Sequence, residues 1–76
     1  MRQSGRQLAI ALEQSLTAYG VPDHVVRVSH TAHDIKVAIV AGGKVHELCS
    51  SKTLGLNGIR ALAKQTRDVY HEGKRK

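Results

Sequence analysis

Tryptophan and phenylalanine are absent from this 76-residue chain, and Tyr19 and Tyr70 are its only aromatic residues. So few rings exclude single-strand recognition by base stacking on an open sheet. They also require an aliphatic core of Leu, Ile, Val and Ala. Cysteine occurs once, at Cys49. One thiol forms no internal disulfide and cannot supply a multi-cysteine zinc site. No apolar run is long enough for a membrane span, and the polar start Met1-Arg2-Gln3-Ser4-Gly5-Arg6 does not read as a signal peptide. A cytoplasmic protein with no membrane partner is expected.

Acidic residues are also scarce, six against twelve Lys and Arg, giving a net charge of +6. The imbalance is local. Residues 52–76 hold seven of the cations and two of the acids. A positive field concentrated in one third of a chain suits a polyanionic partner, although a plain solvated surface has the same composition.

The length fits one domain over residues 1–76, with an ordered core at 5–71 and a basic tail at 72–76. No internal repeat or low-complexity linker breaks it. Leu8, Leu12, Leu16 and Tyr19 recur at i, i+4, i+8 and i+11 and predict a helix over 5–19. Ser4 is placed to cap it and Gly20 to end it, and Val21-Pro22-Asp23 forbids continuation. Ile10 falls off the stripe, as an isolated exposed apolar residue.

Three strands follow, at 25–29, 35–40 and 44–49. Gly42-Gly43 reads as a two-residue type I′ turn. That turn sets Ala41 opposite Lys44, Val40 opposite Val45, Ile39 opposite His46 and Val37 opposite Leu48. Ile35, Val37, Ile39 and Leu48 then share an inner face. Lys36, Ala38, Val40, Val45, Glu47 and Cys49 share the outer one, where Cys49 is a bystander thiol. A second helix is expected over 56–71, burying Ile59, Leu62, Ala63, Thr66, Val69 and Tyr70. The fold class is therefore α+β, an αβββα domain with a three-stranded antiparallel sheet and both helices packed on one face.

Two features could carry function. Arg60, Lys64 and Arg67, at i, i+4 and i+7, make a basic ridge along one flank of the last helix, suited to phosphates or simply solvated. Ser29-His30-Thr31-Ala32-His33-Asp34, between the first two strands, brings two histidines into a turn. An imidazole near bound phosphate can act as general acid or base on a ribose 2′-OH without a metal. His33 is the candidate, as a catalyst, an RNA contact or a residue with no special role. Arg27, Lys36 and Lys52 are the further phosphate-binding candidates. His30, His33 and Asp34 are too loosely spaced to imply a metal, and no cofactor is expected. His46 is expected half-buried near the hairpin. There is no glycine-rich phosphate loop, although Gly55-Leu56-Asn57-Gly58 opens a helix whose amides can face an anion.

The layout resembles the HicA-type messenger-RNA-cleaving toxins and the double-stranded RNA-binding domain. The segments that carry the resemblance are Ala32-His33-Asp34-Ile35-Lys36-Val37 and Leu56-Asn57-Gly58-Ile59-Arg60-Ala61-Leu62-Ala63-Lys64-Gln65. It covers most of the chain. Small phage and prophage proteins share the histidine at a strand start. The resemblance implies RNA as target, His33 as the catalytic position if the protein is a nuclease, and an antitoxin or host protein as partner. The family's Gly-Ser-His is here Val28-Ser29-His30, and its Pro-x-His near the third strand is replaced by Leu48-Cys49-Ser50-Ser51. Three functions stay open: an RNA-binding module, a ribonuclease toxin and a protein-interaction module.

Overall fold

The computed structural model describes residues 5–75. Helix α1 (Gly5–Ala18) leads into strands β1 (Val26–His30), β2 (Asp34–Ala41) and β3 (Lys44–Ser51), and helix α2 (Gly55–Arg75) closes the chain. Short 3₁₀ turns at Asp23–Val25 and Lys52–Leu54 join the layers.

Helix α1 buries the expected stripe, Leu8, Leu12 and Leu16, each 0–1% exposed. Gly20 ends it with φ +80°, donating to the Thr17 carbonyl at 3.0 Å while Val21 donates to the Leu16 carbonyl at 2.9 Å. That pair of bonds is the Schellman arrangement, and Val21 packs into the core beside the helix it terminates. The expected cap, Ser4, lies outside the described residues.

The sheet is antiparallel in the order β1-β2-β3. Gly42 and Gly43 both have positive φ, +63° and +77°, as a type I′ turn requires. The predicted register holds: Ala41 faces Lys44, Val40 faces Val45, Ile39 faces His46 and Val37 faces Leu48. Ile35, Val37 and Ile39 are 0–1% exposed beneath the two helices, which cover one face of the sheet side by side. His46 is half-buried on that face and its Nε2 lies 3.3 Å from the Ala41 carbonyl oxygen. Cys49 is exposed on the other face.

Helix α2 buries Ile59, Leu62, Ala63 and Thr66, with Val69 and Tyr70 packed at the margin. The Thr66 hydroxyl donates to the Leu62 carbonyl at 2.8 Å, so its complete burial leaves no polar atom unsatisfied. The helix also runs four residues past the expected boundary, through Glu72, Gly73 and Lys74 to Arg75. The reason is contact. A Cβ on Gly73 would stand 2.7 Å from the Ala41 Cβ and from the Gly42 nitrogen, so the last turn lies directly on the hairpin. Glycine there is a close-approach residue, where composition alone suggested a loose tail.

Candidate nucleic-acid interface

Both helices run antiparallel to β1 and β3 and parallel to β2, so both begin at one end of the sheet, where Gly5 lies against His30 and Gly58 against Ser50. At that end β1 finishes at His30, β2 starts at Asp34 and β3 finishes at Ser51. The turn between β1 and β2 is closed locally. Thr31 donates to the Asp34 carbonyl at 2.9 Å, and the Thr31 hydroxyl accepts from the amides of Asp34 and His33 at 3.1 and 3.4 Å. It is tied to the approach to α2 as well, because the Lys52 amide donates to the His33 carbonyl at 2.8 Å. Ser51 caps the 3₁₀ turn that carries Lys52, accepting from the Thr53 amide at 3.3 Å.

The two histidines of this end differ in position. His30 shares strand parity with Val26 and Val28 and so falls on the inner face, at the start of α1. A Cβ on Gly5 would meet His30 Nδ1 and Lys52 Nζ at 2.6 Å each, and those two nitrogens are 3.5 Å apart. His33 is exposed on the turn just before β2, and of its groups only the backbone is anchored. Sequence reasoning favoured His33; the histidine set against a cation is His30. The parity it shares with Val26 and Val28 was the signal for this. Among the described residues no group of three or more metal-ligating side chains comes together.

The six candidate cations divide between two surfaces. Strand alternation turns Arg27 and Lys36 to the outer face, away from both helices. The same alternation puts Asp34 and Glu47 on that face, so its positive and negative charges balance. Lys52 stands at the shared helix-start end, half-buried. Arg60, Lys64 and Arg67 lie along one flank of α2. The Arg67 guanidinium carbon is 4.7 Å from the Tyr19 ring centroid, which sets this flank beside the end of α1. Arg67 also pairs with Asp68 at 3.2 Å, the one ion pair among the described residues. Arg60 and Lys64 are exposed and have no carboxylate within ion-pair distance among those residues. Farther along, Lys74 Nζ sits 5.0 Å over the Tyr70 ring.

The six candidate cations therefore do not form one surface. Arg27 and Lys36 are separated by the sheet from Arg60, Lys64 and Arg67. The parity of Lys36 with Ala38 and Val40 was enough to place it away from α2.

No protein-family model, curated protein or solved structure matches the chain. Among the described residues no helix is long and apolar enough to cross a membrane. The geometry defines the class of fold, an αβββα domain with two helices on one face of an antiparallel sheet, and the functional reading rests on the site.

Proposed function

We propose that this protein binds nucleic acid, RNA in preference to DNA, through phosphate contacts made by the exposed flank of α2. The observation that carries the reading is the unneutralised pair Arg60 and Lys64, one turn apart on the flank that also holds Arg67. Like charges at i and i+4 cost a helix about 0.2–0.5 kcal/mol, and a phosphate chain laid along the flank reverses the sign of that term. Lys52 extends the positive surface at the helix start. The mixed outer face, with Arg27 and Lys36 offset by Asp34 and Glu47, offers a polyanion much less. The preference for RNA draws on the resemblance to HicA-type toxins and double-stranded RNA-binding domains, which share this element order.

The test is direct binding of a fluorescently labelled RNA hairpin, a duplex DNA of equal length and a single strand, across a salt series. Affinity for the hairpin should be highest and should fall linearly in log–log form with salt, the slope set by the few phosphates neutralised. No detectable binding at low salt refutes the reading and favours a protein-interaction module.

A ribonuclease reading draws on one further observation, the imidazole of His30 set beside the Lys52 ammonium, a pairing that could serve proton transfer next to a bound phosphate. The antitoxin partner that the resemblance implies belongs to this second reading.

A further inference from the structure

We propose that the free edge of β1 is a self-association surface, at which two copies of the chain join their sheets β1 to β1 about a twofold axis near Val28. This goes beyond nucleic-acid binding and does not depend on it.

The edge is chemically unfinished. Among the described residues, β1 pairs with β2 on one side and with no strand on the other. The bond from the Thr31 amide to the Asp34 carbonyl sets the hydrogen-bond phase: residues 27, 29 and 31 direct their backbone groups toward β2. Val26, Val28 and His30 therefore direct theirs to the open edge. The Val26 amide is engaged by the Asp23 carbonyl. What remains is the carbonyl of Val26 and both groups of Val28 and His30. Antiparallel pairing centred on Val28 uses them symmetrically. The two Val28 residues exchange two bonds, and each His30 amide reaches the Val26 carbonyl of the other copy.

The surface above this edge is self-complementary. A groove of about 260 Å³ runs between α1 and β1, lined by Glu13, Leu16, Thr17, Val21, Asp23, Val26 and Val28. Four of these are aliphatic and two are carboxylates, and the carboxylates have no ion-pair partner among the described residues in a chain of net charge +6. Arg6, Ile10, Glu13 and Thr17 recur at i, i+4, i+7 and i+11, so Arg6 and Ile10 continue the helix stripe that overlooks the groove. Ile10 is 43% exposed there. Along the edge, Gly5 is level with His30, and Leu16 borders the groove with Val26 and Val28. Ile10 lies between these levels, close to that of Val28. A twofold axis at Val28 then sets Ile10 against Ile10 and Arg6 against Glu13, and brings the Asp23 end of one strand beside the end of the other where Lys52 stands against His30. A second copy supplies in register an apolar contact for Ile10 and cations for Glu13 and Asp23.

The test uses light scattering coupled to gel filtration, with circular dichroism to confirm that each variant is folded; Arg6, Ile10 and Glu13 are exposed, so substitution there leaves the core intact. The wild type should be a dimer at low salt. Ile10→Asp and Glu13→Arg should each weaken association at least about tenfold. The double reversal Arg6→Glu/Glu13→Arg should restore it. A wild type that remains an 8.3 kDa monomer at about 1 mM, or a dimer indifferent to Ile10→Asp and Glu13→Arg, overturns the proposal.

Discussion

Lys52 Nζ lies 3.5 Å from Nδ1 of His30, twenty-two residues away in sequence, where the end of β1 meets the approach to α2. An ammonium has only protons to give, so Nδ1 is the acceptor in this contact. His33, three residues on, has no comparable side-chain anchor. A general base needs a fixed geometry before it needs a suitable pKa, so the two histidines make different predictions.

If the protein only binds, labelled RNA incubated with it stays intact, and His33→Ala keeps the hairpin affinity within about twofold, since the proposed phosphate contacts lie on the flank of α2 and not on this turn. Gel analysis of the RNA checks both points. Cleavage that disappears in His33→Ala contradicts the binding-only account and supports the toxin reading. Cleavage that survives His33→Ala and disappears in His30→Ala assigns the chemistry to the Lys52-paired ring.

The hairpin makes a stability prediction. Gly42 and Gly43 both sit at positive φ, a region that costs other residues about 1–2 kcal/mol each. Gly43→Val should lower stability by at least that amount in urea unfolding. Gly42→Asn, which tolerates positive φ, should cost less. Equal effects would argue against a type I′ turn.

A second stability prediction concerns the last turn of α2. Alanine usually favours a helix over glycine by about 1 kcal/mol. At Gly73 the new Cβ meets the Ala41 Cβ and the Gly42 nitrogen at 2.7 Å, and the nitrogen is main chain with little freedom to move. Gly73→Ala should therefore destabilise, by about 1–3 kcal/mol. A rise in melting temperature would show that the turn does not rest on the hairpin.

How much of this was legible in the sequence depended on the range of the signal. The stripe Leu8-Leu12-Leu16 and the Gly42-Gly43 turn are local, and they led to α1, the sheet register and both sheet faces. Gly73 is indistinguishable in sequence from the start of a loose tail, because what holds it is Ala41, thirty-two positions earlier. The candidate site was legible in its parts and not in its assembly. Strand parity already turned Lys36 outward and His30 inward. The first is read directly from the hairpin register, and the position of His33 next to β2 obscured the second. The pairing of His30 with Lys52 depends on α1, β1 and the turn after β3 meeting at one corner, which no sequence window spans.

The central claim is that phosphates lie along α2 and not on the open sheet. Two double variants separate these faces while changing net charge equally: Arg60→Glu/Lys64→Glu on the helix and Arg27→Glu/Lys36→Glu on the sheet. The measurement is affinity for an RNA hairpin at fixed low salt. The account predicts a loss of about a hundredfold or more for the helix pair, with a shallower salt slope, and a change of only a few-fold for the sheet pair. Equal losses, or a larger loss from the sheet pair, would contradict it.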